Sequence, residues 1–386
     1  MNNQQLAIKT AESIMSKSDS DGYHPELGTH WSYVYGMTLL SILRVGELTG
    51  NEKFFNYVKK HLDLLIESDG SIRSYDLETY NLDQINEGKI LFSLFKRTGE
   101  ERYGKAAQLL TEQLQGHPRT TDGGFWHKKI YPFQMWLDGL YMSSPFLAEY
   151  AKTFNKPELY DEVAHQILTM EQHTRDRKTG LLYHGWDESR EQEWCDPATG
   201  RSHHFWSRAM GWYVMAIVDS LEHFPRTHVK RGTIAGIFER IAAALEKVQD
   251  MDSGLWYQIL DQGNREGNYL EASGSCMFVY AIAKGVRLGY LSRYYHKLAI
   301  RGYEGLLKHL VTYDKSEVHL HKICWGAGLG NRPYRDGSYT YYINGKIVSD
   351  ALIGVAPFIL AIIEMEKLKS VSLGNDTDNG DNPLVF

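Results

Sequence analysis

Cysteine is scarce in this chain, and the few present do not pair. Cys195, Cys276 and Cys324 are far apart, odd in number and without a CxxC spacing. That excludes a disulfide framework and a zinc signature and suits a reducing compartment. The first residues, MNNQQLAIKTAESIMSKS, lack the apolar core of a signal peptide, and no stretch approaches a membrane span. A cytoplasmic protein without membrane contact is expected. A surplus of positive charge is also missing: 42 Lys and Arg are interspersed with 48 Asp and Glu, so no nucleic-acid partner is expected. The segment GAGLGNRPYRDGSYTYY (326–342) has the glycine content of a phosphate loop but no GK[ST], and no nucleotide is expected there. It reads instead as a mobile loop over a rim, carrying Arg335 with Trp325 just before it. No Pro/Ser-rich linker divides the chain, so residues 1–369 are expected to form one domain and 370–386 a loosely held tail.

Aromatic rings are plentiful: 9 Trp, 25 Tyr and 14 Phe. Rings with a polar edge suit a carbohydrate pocket, although a large aromatic core uses them equally well. Their placement follows a repeat. In EKFFNYVKKHLDLL, EERYGKAAQLLTEQL and PELYDEVAHQILTM, an aromatic is followed three residues later by a small or β-branched residue. Leu or Ile comes four residues after that. The triples are Phe55/Val58/Leu62, Tyr103/Ala106/Leu110 and Tyr160/Val163/Ile167, one helical face repeated. Between these amphipathic helices lie runs that are apolar nearly all round, such as YVYGMTLLSILRVGEL, RAMGWYVMAIVDSLEHF and DALIGVAPFILAIIEMEKL. Six such inner runs alternate with five outer ones, and residues 3 to 17 supply a sixth. Hairpins that cannot bury their own apolar faces must stack, and six of them closing on themselves make an all-α (α/α)6 barrel, a six-hairpin toroid.

In that architecture the starts of the inner helices share one mouth, and they hold polar residues that do not belong in a core. These are Asp83 in NLDQINEGK, Asp138 in MWLDGLYM, Arg208 in HFWSRAMGWY and Asp350 in VSDALIGV. An acid at a helix N-terminus is often only a cap, and that is the expected role of Asp350. Asp138 is different. Bulky apolar residues flank it and Gly139 follows, leaving room for close approach, so this desolvated carboxylate calls for a functional reason. Two carboxylates at one mouth suggest acid/base chemistry on a sugar. His127 and His184, inside aromatic stretches, are expected to line the pocket. His203–His204 and the HLH at 319–321 lack a third ligand at a recognisable spacing, and no metal is expected.

These segments together resemble glycoside hydrolase family 105, the unsaturated rhamnogalacturonyl hydrolases. The resemblance is carried in order by NLDQINEGK, MWLDGLYMSSPFLAEYA, LLYHGWDES, EWCDPATGRSHHFWSRAMGWYVMAIVD and AGLGNRPYRDGSYTYYINGKIVSDALIGVAPFILA. It implies an unsaturated uronyl oligosaccharide as substrate and hydration of its 4,5 double bond as the reaction. Asp138 would protonate carbon 4, its apolar setting helping it keep a proton near neutral pH. Asp83 would position ring hydroxyls and help orient the water. Trp126 and Trp212 would offer stacking faces, and Arg208, His127 and His184 would meet the sugar's polar groups. Tyr35, Trp325 and Arg335 complete the implied pocket. No cofactor is implied, because the double bond supplies the reactivity. The resemblance leaves the oligomeric state open. The rival readings are an unsaturated glucuronyl hydrolase of glycosaminoglycan disaccharides, an ordinary inverting glycosidase, and a non-catalytic sugar-binding barrel.

Overall fold

A computed structural model describes residues 1–19, 24–28, 30–314 and 317–375. In chain order the helices are α1 (Asn3–Met15), α2 (Tyr33–Thr49), α3 (Glu52–Asp63), α4 (Gly88–Thr98), α5 (Glu101–Gly116), α6 (Leu137–Thr153) and α7 (Leu159–Thr174). They continue as α8 (Ser207–Leu221), α9 (Arg231–Lys247), α10 (Ala272–Arg287), α11 (His296–Gly305), α12 (Tyr339–Ile343) and α13 (Leu352–Asn375). The strands form three two-stranded antiparallel pairs. These are β1 (Gln134–Trp136) with β2 (Gly185–Asp187), β3 (Val311–Tyr313) with β4 (Val318–Leu320), and β5 (Ile323–Cys324) with β6 (Ile347–Val348).

Helices α2, α4, α6, α8, α10 and α13 pack each against the next, and α13 packs back onto α2, so the inner ring closes. Outside it lie α3, α5, α7, α9 and α11, and α1 covers the seam between α13 and α2. The fold is an α/α toroid. The reason lies in the two residue patterns. Every residue of α8 is buried, as a helix enclosed by other helices requires, whereas α3 buries only Phe54, Phe55, Val58, His61 and Leu62. All nine residues of the three repeated triples are buried on this inward face. Outer helices thus lay one stripe on an inner helix, and inner helices fill the ring.

Inner helices approach each other closely where α2 meets the start of α4. A Cβ at Gly36 of α2 would lie 2.7 Å from Glu87 Cα and 3.0 Å from its backbone nitrogen, just before α4. Glycine is required there because the neighbour is main chain and cannot turn aside.

The last helix runs through residues 370–375, and 376–386 lie outside the described residues. One expectation changes. Asp350 does not cap α13. Its backbone is left-handed (φ +60°), and its carboxylate turns to β4, accepting from Leu320 N at 2.8 Å and facing His319 Nδ1 at 2.8 Å. His319 Nε2 meets Asp314 Oδ2 at 3.2 Å. Among the described residues, only Asp314, Glu317 and His319 come close enough to share a metal ion, and both His319 nitrogens already face carboxylates. No helix among the described residues is long and apolar enough to cross a membrane.

Gly36→Ala is expected to destabilise the protein by about 1–3 kcal/mol through overpacking against the Glu87 backbone. Chemical denaturation checks this, and an unchanged midpoint would show that the α2–α4 contact is slack.

Candidate active site

Asp138 owes its position to a short ladder. β1 pairs with β2 in the register Gln134↔Asp187, Met135↔Trp186 and Trp136↔Gly185, and Leu137 N continues it by donating to His184 O at 3.0 Å. The chain then turns into α6, so Asp138 in its first turn stands beside His184. Asp138 Oδ2 and His184 Nε2 face each other at 3.2 Å, and both atoms are shut off from solvent. The Asp138 side chain is nevertheless 13% exposed, so what it presents to the mouth is its other side. His184 itself is fully buried, and its Nδ1 lies 2.7 Å from the Tyr342 hydroxyl. Burial, with the charges of Tyr341 and Asp138 nearby, pushes that phenol well above its ordinary value, so it stays protonated.

Asp83 is placed by a second local device. Asn81 caps a single 3-10 turn, Leu82–Ile85, accepting from Asp83 N at 3.0 Å, and Leu82 N donates to His127 O at 3.2 Å. This bridges residues 81–82 to 127–128. The Lys128 ammonium reaches Asp83 Oδ2 at 2.5 Å, and His127 Nε2 lies 3.6 Å from Oδ1. Burial pushes the Asp83 carboxyl up, but Lys128 and His127 outweigh it and hold the group below its ordinary value of 3.8. Burial, the larger influence, takes His127 down to about 4 despite Asp83 beside it, so its ring is neutral. That ring stacks on Trp136 (4.4 Å, 18°), which stacks in turn on Tyr131 (4.9 Å, 20°). A Cβ at Gly139 would come 3.1 Å from His127 Nδ1 and 2.9 Å from a Leu82 methyl, so the glycine after Asp138 admits the Asp83 lobe.

Tyr33, the first residue of α2, ties the two halves together. Burial raises its phenol's pKa far above the ordinary range. Asp83 and Asp138 push it the same way and Arg208 opposes them, so all three act on one hydroxyl. Asp83 in the turn before α4, and Asp138 and Arg208 in the first turns of α6 and α8, thus lie within electrostatic reach of one phenol, and this end of the ring is the candidate mouth.

Other candidates land differently. Arg208 is buried and committed: Nε donates to Ser273 Oγ at 2.7 Å, a terminal nitrogen donates to Cys324 O, and Glu271 lies 3.7 Å away. It braces the mouth wall instead of reaching for a ligand. Tyr35 is a core residue whose hydroxyl donates to His61 O at 2.8 Å; two positions along a helix from Tyr33, it points to α3 instead of the mouth. Trp212 is only 1% exposed, stacked on Tyr141, so it supports the floor and offers no open face. Trp126 is half-buried against Phe133. Trp325 is 61% exposed, next to the Cys324 carbonyl that receives Arg208. Arg335 lies over Tyr131 and Trp136, held by the carbonyls of Gly330 (2.8 Å) and Leu329 (3.0 Å). Its loop is pinned: Gly328 N donates to Tyr341 OH, and Tyr339 OH donates to Arg265 O and Glu266 O.

Sequence reasoning missed Lys128, Tyr33, Tyr342 and Glu271. The one available signal was Lys128 following a histidine already singled out. Glu271 is fully buried and engaged as the α10 cap, accepting from Ser273 N and Gly274 N, and it also accepts from Cys324 N at 3.0 Å. A charged cavity of about 50 Å³ among Arg44, Glu222, Tyr280, Lys284 and Glu364 lies near the opposite ends of the inner helices. Its charges are already paired, Lys284 with Asp219 and Glu222 at 2.7 Å each, which leaves the mouth as the candidate site.

Comparison with known proteins gives the family. The family model described as Glycosyl Hydrolase Family 88 matches residues 6–369. A solved glycoside hydrolase from family 105 of C. acetobutylicum ATCC 824 superposes with a TM-score of 0.90 at 47% identity, covering 93% of this chain and 99% of that one. Protein Atu3128 of Agrobacterium fabrum (strain C58 / ATCC 33970) is 38% identical over 232 residues, 58% of this chain and 97% of its own length. The unsaturated rhamnogalacturonyl hydrolase YesR of Bacillus subtilis (strain 168) is 27% identical over 264 residues, 67% of this chain and 72% of its own length.

The Asp83–Lys128 pair makes a pH prediction. Because the folded Asp83 value lies below 3.8, the ionised carboxylate stabilises the fold above that pH, and the contribution is lost as pH falls through the folded value. Lys128→Met leaves burial unopposed except by His127, so the Asp83 carboxyl rises. The acid limb of the kcat/KM profile should then move to higher pH. An unmoved limb would show that Lys128 does not set the ionisation of Asp83.

Proposed function

The chain belongs to the glycoside hydrolases of families 88 and 105, and on that premise we propose that it acts on rhamnogalacturonan oligosaccharides cut by a lyase. It removes the 4,5-unsaturated galacturonic acid from their non-reducing end. The substrate class follows the relative named as an unsaturated rhamnogalacturonyl hydrolase, and the observation that carries the chemistry is the unlike treatment of the two carboxylates at one mouth. Asp83 is locked to an ammonium and kept ionised, whereas Asp138 meets only the His184 imidazole and turns its free side to the opening.

The reaction follows from that division. The Asp138 carboxyl gives its proton to carbon 4 of the double bond, and positive charge develops at carbon 5, shared with the ring oxygen. Water adds at carbon 5 and yields a proton to the Asp138 carboxylate, restoring the acid. The hemiketal so formed opens by breaking the bond from carbon 5 to the ring oxygen. The anomeric carbon is then a hemiacetal, which expels the rest of the oligosaccharide. Atoms balance with one water consumed, and no cofactor is needed. His184, steadied by Tyr342, fixes the carboxyl's orientation. Asp83 accepts hydrogen bonds from ring hydroxyls and the incoming water. Six helix N-termini at the mouth favour an anionic sugar.

The test is to follow the ultraviolet absorbance of the double bond. Unsaturated galacturonyl-rhamnose should lose it faster than unsaturated glucuronyl disaccharides from glycosaminoglycans, and the reverse order would transfer the assignment to the latter. Saturated galacturonyl-rhamnose should be inert, since it has no carbon to protonate; comparable turnover would favour an ordinary glycosidase. Asp138→Asn should fold normally and still bind substrate, while turnover drops by about 10²–10⁴-fold, the usual contribution of a positioned general acid. Turnover within a few-fold of wild type would remove Asp138 from the mechanism.

A further inference from the structure

The floor beneath the mouth is a stack of rings that ends on an unpaired amine. Tyr33 meets Trp212 edge-on (6.2 Å, 82°), Trp212 stacks on Tyr141 (5.0 Å, 24°), and Lys89 Nζ sits 3.4 Å from the centre of the Tyr141 ring. The four groups come from α2, α8, α6 and α4, so the stack crosses the ring's interior. Lys89 is 4% exposed, and among the described residues its Nζ has no hydrogen-bond partner. None of the acids around it accepts a hydrogen bond from the amine. Asp219 accepts from Lys284 Nζ and Tyr280 OH at 2.7 Å each, Glu149 faces His223 at 3.7 Å, and both Glu87 oxygens lack a partner. Arg44 adds a like charge. Burial accordingly pushes the amine down to about 7, against the pull of Asp219, Glu87 and Glu149.

An unpaired buried ammonium is costly, and an aliphatic side chain of the same length would avoid that cost. What Lys89 supplies that an aliphatic residue does not is a cation against an aromatic face. The far end of the stack carries the phenol on which Asp83, Asp138 and Arg208 all act. We infer that Lys89 is a positioning residue for the reaction, fixing the Tyr141–Trp212–Tyr33 stack and through it the floor on which the sugar rests against Asp83 and Asp138. This rests on the mouth being the hydrolase site.

The test is Lys89→Met, of similar length and apolar. Its melting temperature should equal or exceed that of the wild type, because an unpaired charge is removed from the interior. Its kcat/KM on the unsaturated disaccharide that the wild type prefers should nevertheless fall about ten- to a hundred-fold, the scale of a misplaced substrate. The crystal structure of the variant should show the Trp212 and Tyr33 rings displaced. In a double-mutant cycle with Trp212→Phe, the two losses should be non-additive, since both act through one stack. Wild-type kcat/KM, unmoved rings or additive losses would each overturn the inference. If Lys89→Met does not fold, Tyr141→Leu takes its place: it removes the ring and keeps the lysine, and should lose turnover likewise; undiminished turnover overturns the inference. A wild type inert toward every unsaturated disaccharide counts against the proposed function, and ring positions in the crystal still decide the role of Lys89.

Discussion

Closure of the inner ring is the constraint from which the site follows. Because an outer helix carries the chain back between one inner helix and the next, the inner helices run the same way, and once α13 packs onto α2 the residues just before or inside their first turns meet at one rim. An acid there sits at the positive end of a helix, so each inner helix can hold a carboxylate at little cost. What distinguishes these acids is the partner each finds. Glu271 is taken up completely by the first amides of its own helix and by Cys324 N. Asp83 is taken up by Lys128 from a neighbouring lobe. Asp138 meets only an imidazole, and so keeps one side for a ligand. The ring makes the mouth, and the local partners sort its carboxylates into cap, fixed anion and one that keeps an open side.

The ring was legible in the sequence because its signal is local. A helical stripe of aromatic, small and aliphatic residues declares an outer helix within fifteen residues, and an all-round apolar run declares an inner one. Asp138 was legible for the same reason, as a carboxylate inside an apolar run. What was not legible depends on distant pairings or on a helix start being fixed within two residues. Tyr33 and Tyr35 cannot be told apart until α2 is known to begin at Tyr33; one then faces the mouth and the other α3. Lys128 looks like a solvated lysine until Asn81 and Leu82 bridge to residues 127 and 128. Trp212 lies on the right helix, but periodicity gives a face and not a depth, and the ring is under the floor. Asp350 reads as a cap by its place before a helix, yet the left-handed backbone at that residue aims its carboxylate at β4.

The same ring produces an opposite pole, and the contrast is informative. There the helix C-termini gather, and cations from α2, α10 and α13 meet acids from α6, α8 and α13. Most of these charges are matched within the cluster. Where one is not, burial shifts its ionisation toward the neutral form, as with Glu149, pushed up to about 7. A pole whose charges cancel has little to offer a charged ligand. The mouth keeps its groups unequally matched, and that inequality is what chemistry can use.

The inequality also bears on which chemistry. An inverting glycosidase needs an acid for the leaving oxygen and a competent base for water, and a base works best when its pKa lies near the working pH. Asp83, held below its ordinary value by Lys128, is a poor proton acceptor but a good fixed anion for hydroxyls. Protonation of an enol ether asks for less. One acid donates to carbon and recovers its proton from water once the adjacent centre is cationic, and the second carboxylate need only hold the ring in place. On the proposed function, a mouth with one open carboxylate, one locked anion and a stacked floor is matched to hydration of a double bond, which asks for no second base.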